Sequence, residues 1–380
     1  MRRGQVVIER FDSAVLAGNP LGDPAERELA IYLPPSYASD AARRFPVAVV
    51  LTGFSGRGRM LLNDNLWSPA LNDRMDTLID SGRAGEMILV MPDCTTRYGG
   101  SQYLGSSILG DYARYLNDEL IEHVDARYRT LADRAHRGIM GKSSGGFGAL
   151  VNAMRRPDRY GAVASHSGDM AFDFCYRADL PRLASIVSRA GGLRAWFDGF
   201  ETRHQKSSDD HIVINILAMA SVYSPNPAAP WPHIDFPLDL ERLTFSEEIW
   251  RRWLAFDPIE MLASPANVDA LRSLRLLHLD AGTRDEWCLH LGARRFTTRL
   301  AELGVAHEYE EFDDGHRNVG YRYDVSLPTM SRALGGGSVV RKGGRRRTHP
   351  TSDRRPGFRA GPGIRSQPPA YWPFGAAPCE

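Results

Sequence analysis

The sequence predicts an α/β fold in which a mostly parallel central sheet carries helices on both faces. Short, continuous apolar runs such as residues 45–52 (FPVAVVLT) are typical of parallel strands that are buried on both sides. These runs alternate along the chain with segments of helical periodicity, as expected for a sheet covered by its crossover helices. A Gly-rich turn at residues 141–146 (GKSSGG) joins one such strand to one such helix. With 380 residues, 43% of them hydrophobic, the chain can bury one large core.

The first part of the chain is predicted to be rich in strands. Four strands are expected at residues 5–16, 28–33, 45–52 and 87–91. The second ends at Pro34, which cannot donate a hydrogen bond to a neighbouring strand. A helix is predicted from the N-cap Asp111 to Arg127, because an apolar stripe recurs every four residues, at Tyr112, Leu116, Leu120 and Val124.

The later elements continue the alternation of strand and helix. Strands are predicted at residues 137–140, 162–165, 274–279 and 307–312. Helices are predicted at residues 147–154, 291–303 and 328–334. Gly304 directly follows the second of these helices, as a C-terminal capping glycine does. Together the elements predict one α/β domain over residues 1–334.

Residues 169–268 do not follow this alternation. They contain a Pro-rich run (SPNPAAPWPHIDFPLDL) and four tryptophans, at Trp196, Trp231, Trp250 and Trp253. Loops of this length are uncommon unless they form a lid or a binding wall. We interpret the segment as an inserted, partly helical cap over the functional site. The alternative is an insertion that packs away from the site.

Residues 335–380 form a basic tail. They hold nine Lys and Arg residues but only two acidic residues, so the remainder of the chain is acidic although the formal net charge is +1. The tail is rich in Gly, Pro and Arg and lacks periodic apolar residues, which predicts disorder. It is interpreted as a solvated extension, with an arm for an anionic partner as the alternative. The acidic body argues against nucleic acid as the main partner.

Cysteine usage and hydropathy indicate a soluble, cytoplasmic protein without a membrane partner. The four cysteines are widely spaced and form no C-x-x-C pair, which argues against a disulfide framework or a zinc site. No run approaches the roughly 18 apolar residues of a membrane span. No H-E-x-x-H or similar metal-ligand spacing is present, so no metal or cofactor is expected. Nothing in the sequence indicates the oligomeric state.

The turn at residues 141–146 carries the chemistry. A phosphate-binding loop would need a glycine five residues before Gly141, where His136 stands. The pattern G-x-S-x-G fits residues 141–145 without adjustment and requires a strand, a sharp turn and then a helix, with the serine at the apex. Ser143 is therefore the candidate nucleophile. The backbone N–H of Ser144 is predicted to stabilise an oxyanion.

A serine hydroxyl needs a general base and an acid that orients the base. In a fold with this turn the three residues follow the order serine, acid, histidine, each on a loop after a strand. Asp285 is the predicted acid because it stands five residues beyond Asp280, where the loop can reach a histidine. Asp280, at the strand end, is kept as the alternative and is otherwise expected to bond loop backbone. His316 follows the last strand and is the predicted base.

Two further residues complete the predicted arrangement. The second oxyanion donor is expected from the loop after strand 45–52, where Phe54 lies in LTGFSG. His166 also follows a strand, but it precedes the acid in the chain. It is therefore predicted to be a pocket or packing residue and not the base.

On these residues the chain resembles the putative esterase family of α/β-hydrolases, which includes S-formylglutathione hydrolases, feruloyl esterases, enterochelin esterases and mycolyltransferases. The resemblance rests on YLPPSY at 32–37, LTGFSG at 51–56, GKSSGGFGAL at 141–150, DAGTRDEW at 280–287 and GH at 315–316. It implies the α/β-hydrolase fold and a triad of Ser143, Asp285 and His316. Two positions depart from the family pattern. Thr52 replaces a frequent histidine and Ser144 a frequent methionine, so pocket shape is expected to differ.

The resemblance also suggests substrate-side residues and an activity. Residues 98–106 resemble a substrate-side loop of the family, from which Gln102 and Tyr103 are candidate pocket residues, although packing is the favoured role for Tyr103. Trp287 is a third candidate. The expected activity is hydrolysis of small-molecule carboxylic esters or thioesters. The alternatives are acyl transfer by the same triad to an alcohol or sugar, or a non-catalytic binding protein.

Overall fold

A computed structural model describes residues 3–335 of the chain. Ten strands occur in this range. They are β1 (Gln5–Asp12), β2 (Glu26–Leu33), β3 (Val47–Leu51), β4 (Ile88–Pro92), β5 (Gly105–Ser106), β6 (Gly110–Asp111), β7 (Arg137–Lys142), β8 (Ala162–His166), β9 (Leu276–Gly282) and β10 (Glu308–Phe312).

Thirteen α-helices occur in the same range, seven of them between β8 and β9. The helices outside this interval are α1 (Leu71–Asp80), α2 (Tyr112–Arg114), α3 (Leu120–Arg127), α4 (Ser144–Arg155), α12 (Leu289–Glu302) and α13 (Tyr323–Ala333). The helices of the interval are α5 (Phe172–Cys175), α6 (Leu180–Arg189), α7 (Leu193–Thr202), α8 (Ser208–Tyr223), α9 (Glu247–Leu254), α10 (Pro258–Met261) and α11 (Pro265–Arg272). No helix within residues 3–335 combines the length and apolar character that crossing a bilayer requires.

Eight strands form one sheet in the order β1-β2-β4-β3-β7-β8-β9-β10. The pairs β1–β2 and β2–β4 are antiparallel, whereas the pairs from β4–β3 through β9–β10 are parallel. The predicted α/β fold with a mostly parallel sheet is therefore confirmed. The carboxyl ends of β3, β7, β9 and β10 lie at one edge, where ligands of open α/β sheets bind.

Hydrophobic cores lie on both faces of this sheet. On one face, alternate strand residues such as Val50 and Met140 pack with Leu78 of α1 and Met330 of α13. On the other face, Val49 and its neighbours pack with α4 and with the helices between β8 and β9. The strands are thus buried on both sides, which explains their continuous apolar runs.

Several predicted elements differ in the structure. Strand β1 ends at Asp12 and not at residue 16, because the chain turns and the Val15 N–H donates to Glu119 Oε1 at 3.0 Å. The predicted helix 111–127 is interrupted by a π-helical turn at Tyr115–Glu119, between α2 and α3. Buried Asn117 lies in this turn and donates to Asn152 of α4 at 2.6 Å. Helix α1 was not predicted.

The segment predicted as an insertion folds mainly into helices α5 to α11. Helix α8 is its longest and is apolar on nearly all sides, with Ile212, Ile216 and Leu217 among its buried residues. Such a helix is expected inside a packed layer and not on a surface. Of the basic tail predicted at residues 335–380, all but the first residue lies outside the described residues.

Candidate active site

Ser143 stands at a sharp turn between β7 and α4. Its backbone has φ 58° and ψ −127°, a region that non-glycine residues rarely adopt. The Ser143 N–H donates to His166 O of β8 at 2.9 Å, and the Ser143 carbonyl accepts from Phe147 N of α4. These bonds tie the turn to the sheet on one side and to the helix on the other. The strand, strained serine and helix have the form that G-x-S-x-G predicts.

The two glycines of the motif are required by close backbone packing. A Cβ at Gly141 would lie 2.6 Å from the Gly145 carbonyl carbon and from Leu51 O. A Cβ at Gly145 would lie 2.4 Å from Leu51 O and 2.6 Å from Thr52 O. The contacts are to backbone atoms, which cannot move without displacing the strand. Glycine therefore lets α4 begin directly against the end of β3.

The substitution Gly145→Ala is expected to lower the free energy of unfolding by roughly 1–3 kcal/mol and to reduce ester turnover, because it forces β3 and α4 apart. The matched control is Gly199→Ala in α7, where a Cβ would meet no atom within 4 Å. This control should stabilise the protein by up to about 1 kcal/mol. Urea denaturation of the two variants measures the difference. Equal midpoints would contradict the packing argument.

His316 and Asp285 form a buried pair on the loops that follow β10 and β9. His316 Nδ1 lies 2.8 Å from Asp285 Oδ2, and the other carboxylate oxygen accepts from Trp287 N at 2.9 Å. Burial raises the pKa of Asp285, but the hydrogen bond and charge of His316 outweigh burial and the pKa is lowered. The backbone N–H of His316 donates to Glu286 Oε2 at 2.7 Å. Asp285 is therefore an ionised acceptor that orients the imidazole.

Ser143 and His316 line the same cavity. The Ser143 hydroxyl and the His316 ring are not hydrogen-bonded to each other in this structure. Nucleophile–base contacts in unliganded sites commonly tighten only when substrate binds. The cavity therefore contains a strained serine and an oriented histidine.

The loop after β3 lies against Ser143. A Cβ at Gly53 would be 3.4 Å from Ser143 Cβ, and both Gly53 and Phe54 line the cavity. Within residues 3–335 the backbone N–H groups of Phe54 and Ser144 donate to no backbone carbonyl. Free N–H groups beside the nucleophile are what an oxyanion site requires.

The structure corrects the substrate-side candidate Gln102 and gives Tyr103 the packing role that was favoured for it. Gln102 and Tyr103 do not line the cavity of Ser143, whereas Trp287 does. Gln102 is 1% exposed and its amide donates to Asp169, Tyr176 and Tyr223 behind the cavity wall. The Tyr103 hydroxyl donates to Thr52 O at 2.6 Å, which holds the oxyanion loop. Both side chains support the wall from inside the core.

Asp280 and His166 lie together elsewhere. Asp280 Oδ1 lies 2.8 Å from His166 Nδ1, Asp280 Oδ2 accepts from Arg322 Nε at 2.9 Å, and His166 Nε2 lies 2.8 Å from Ser326 Oγ. The Asp280 side chain therefore pairs with side chains, and the expectation that it bonds loop backbone was wrong. Ser326, His166 and Asp280 repeat the residue types of a triad, but each is at most 2% exposed. Substrate cannot reach a hydroxyl in this position.

Asp280 should also contribute to acid sensitivity. Burial raises the pKa of Asp280, but the charge and hydrogen bond of His166, the hydrogen bond of His278 and the charge of Arg322 outweigh burial, so the pKa is lowered. A depressed folded-state pKa stabilises the protein above the unfolded value of about 3.9, and this contribution is lost as the pH falls through the folded value. The free energy of unfolding should therefore fall on acidification below about pH 4. Urea midpoints should show a shallower fall for Asp280→Asn, and an unchanged pH profile would refute this origin.

Sequence reasoning missed several residues of the cavity. Lys142, Asp169 and Arg317 line it, and His211 and Asn215 of α8 lie on its wall. Lys142 is the variable residue before the nucleophile and Arg317 follows His316, so their sequence neighbours could have indicated them. His211 and Asn215 are four residues apart on one helix face, but no motif marks that face.

The comparisons with known proteins identify the family of the chain. The family model described as "Putative esterase" matches residues 24–334. The chain belongs to this esterase family. The match covers β2 through α13. It includes the sharp turn at residues 141–145 that carries Ser143, called the elbow below, and the loops that carry Asp285 and His316.

Relatives of this esterase family member are known among curated proteins and solved structures. A ferulic acid esterase structure aligns with a TM-score of 0.55 and 21% identity, covering 88% of this chain and 100% of that chain. An esterase of Mycobacterium tuberculosis is 24% identical over 60% of this chain and 41% of its own length. An endo-1,4-beta-xylanase/feruloyl esterase of Xylanibacter ruminicola is 28% identical over 36% of this chain and 19% of its own length. The chain thus spans less than half the length of these two curated relatives.

Proposed function

We propose that the protein is a serine hydrolase that cleaves small-molecule carboxylic esters or thioesters through an acyl-enzyme on Ser143. The observation that carries the proposal is that a strained serine and a histidine oriented by Asp285 line one cavity. A chance G-x-S-x-G would not be expected to share a cavity with a histidine that is paired with a buried carboxylate. Membership of an esterase family supports the same chemistry.

Each residue has one role in this reaction. His316 accepts the Ser143 proton as the oxygen attacks the ester carbonyl, and Asp285 stabilises the imidazolium that forms. The N–H groups of Phe54 and Ser144 bind the tetrahedral oxyanion. His316 then gives its proton to the leaving alcohol or thiol. Water, deprotonated by the same histidine, hydrolyses the acyl-enzyme and restores Ser143.

The helical segment between β8 and β9 is proposed to act as a cap that shapes the acyl or leaving-group side of the cavity. Cys175 and Tyr176 at the end of α5 line the cavity, as do His211 and Asn215 of α8. The segment therefore contributes side chains within the cavity that contains Ser143. This placement supports a role in substrate selection.

A rapid-mixing experiment with 4-nitrophenyl acetate tests the proposal. An acyl-enzyme predicts a burst of 4-nitrophenol close to one equivalent per chain, followed by slower turnover. Adding an alcohol acceptor to the same reaction distinguishes hydrolysis from acyl transfer by the products formed. Steady release without a burst, together with no inhibition by a fluorophosphonate, would count against a serine hydrolase.

A further inference from the structure

Two cationic side chains stand beside the proposed nucleophile and base. Lys142 immediately precedes Ser143 at the end of β7, and Arg317 immediately follows His316. Both line the cavity that contains Ser143 and His316. The turns that position the reacting groups therefore also position these two charges.

The carboxylates around this cavity are satisfied by protein donors. Asp169 accepts from the Tyr176 hydroxyl at 2.7 Å, from Gln102 at 3.2 Å and from the Ser144 hydroxyl at 3.3 Å. Asp285 accepts from His316 and from the backbone, as described above, and Glu286 accepts from the His316 N–H at 2.7 Å. Each of these carboxylates thus accepts hydrogen bonds from the protein, those of Asp169 all at Oδ2.

The two cations have no such partners. Among the described residues, neither Lys142 nor Arg317 makes a side-chain hydrogen bond or has a carboxylate oxygen within 4.0 Å. The Arg317 guanidinium lies 5.4 Å from the centroid of the Trp287 ring, which fixes its direction without neutralising it. Lys142 is partly buried, and a partly buried cation without a counter-ion is costly unless a ligand supplies the negative charge, whereas Arg317 is exposed.

The electrostatics of Lys142 agree with this placement. Burial lowers the pKa of Lys142, the charges of Asp285, Glu286 and Asp169 oppose that effect, and the charge of Arg317 lowers the pKa further. The charge of Arg317 thus opposes the charged form of Lys142, although this repulsion is a smaller effect than the attraction of any of the three carboxylates. One anionic group between them would relieve that repulsion and offer each cation a partner.

Arg317 also lines a second cavity beside the first. The two cavities share Cys175, His211, Trp287 and Arg317. The second is also lined by Glu286 and by Arg182, which pairs with Asp179. A substrate longer than a simple acetyl ester would pass Arg317 as it extends from the nucleophile into the second cavity. Arg317 therefore lies where the two cavities adjoin.

Resting on the proposed function, we propose that Lys142 and Arg317 bind a carboxylate of the substrate, so that the preferred substrates are esters or thioesters carrying a carboxylate near the scissile bond. Arg317 would hold the carboxylate through its planar guanidinium, which matches carboxylate geometry. Lys142 would act as a point charge from the side of the nucleophile. Neutral esters would still react, because the triad does not depend on this contact.

Matched charged and neutral substrates test the proposal on both sides of the scissile bond. For the acyl side, mono-4-nitrophenyl adipate is compared with its methyl ester. For the leaving-group side, 4-acetoxybenzoate is compared with methyl 4-acetoxybenzoate. The quantity measured is the charged-to-neutral ratio of kcat/KM in wild type, Lys142→Met, Arg317→Gln and the control Arg299→Gln. Arg299 lies on α12 and pairs with Glu302, so its substitution changes net charge equally without touching the cavity.

In at least one substrate pair the ratio is expected to fall about 10-fold or more in Lys142→Met and Arg317→Gln, but not in Arg299→Gln. Lys142→Arg should recover part of the loss, and added salt should reduce the wild-type ratio because the contact is ionic. The exposed side chain of Arg317 can be changed without disturbing the elbow. The proposal is overturned if Arg317→Gln leaves the charged-to-neutral ratio of kcat/KM unchanged in both substrate pairs. Fluorophosphonate labelling of each variant keeps this outcome distinct from failure of the proposed function. Absent labelling in wild type would reject the serine mechanism itself.

Discussion

Replacing Ser143 with alanine is expected to lower kcat for 4-nitrophenyl esters by roughly 10⁴- to 10⁶-fold, because the reaction loses its nucleophile and its covalent intermediate. The backbone should keep its turn, since the N–H and carbonyl of residue 143 still bond to β8 and α4. Steady-state kinetics and circular dichroism on the same preparation measure both quantities. Turnover near the wild-type rate in a folded variant would contradict the assignment.

The matched control for Ser143→Ala is a substitution at the neighbouring residue, Ser144. Ser144→Ala removes a hydroxyl that bonds only to Asp169 at 3.3 Å and keeps the backbone N–H assigned to the oxyanion. We therefore expect a loss in kcat that is far smaller than for Ser143→Ala. Comparable losses in kcat for the two variants would contradict the assignment of Ser143 as the nucleophile.

The second large effect is expected for Asp285→Asn. An amide in place of the carboxylate stabilises the wrong tautomer of His316 and removes the charge that supports the imidazolium. A loss of about 10⁴-fold in kcat is the size known for this change in serine triads. The loss should appear in kcat at neutral pH, with KM changed much less.

Asp280→Asn distinguishes this role from the general effect of losing a buried carboxylate. Asp280 pairs with His166 and Arg322 outside the cavity, so its substitution should leave kcat close to wild type under conditions where the variant is folded. Its cost should appear in stability, at roughly 3 kcal/mol for breaking a buried ion pair. If instead Asp280→Asn lost activity and Asp285→Asn kept it, the acid would have been assigned to the wrong residue.

The fold could be predicted from sequence because its signals are local. Apolar runs such as residues 45–52 identify strands buried on both faces, and the structure places β3 there at Val47–Leu51. The elbow is also local, since the spacing of Gly141, Ser143 and Gly145 follows from contacts within one turn. Helix α1 was missed because the sequence gives no clear capping signal for its start. It begins at Leu71 after Ala70, which provides no side-chain cap.

The less predictable features depend on distant parts of the chain. Asp169, His211 and Arg317 meet in one cavity although nearly 150 residues separate the first from the last. No local pattern indicates which side chains of α8 will face that cavity, because the helix is apolar on nearly all sides. Gln102 was expected in the pocket because of its loop, but its buried contacts with Tyr176 and Tyr223 come from the inserted helices. The choice between Asp280 and Asp285 was possible from sequence only because their loop positions differ.

The proposed mechanism passes through one covalent intermediate, on Ser143, and mapping the modified residue is its most direct test. The full chain is treated with a fluorophosphonate, digested and sequenced by mass spectrometry, with Ser143→Ala carried alongside. The serine-hydrolase mechanism predicts one adduct per chain, on Ser143, and no adduct in Ser143→Ala. An adduct on another residue, or no adduct in a folded chain that hydrolyses esters, would contradict it.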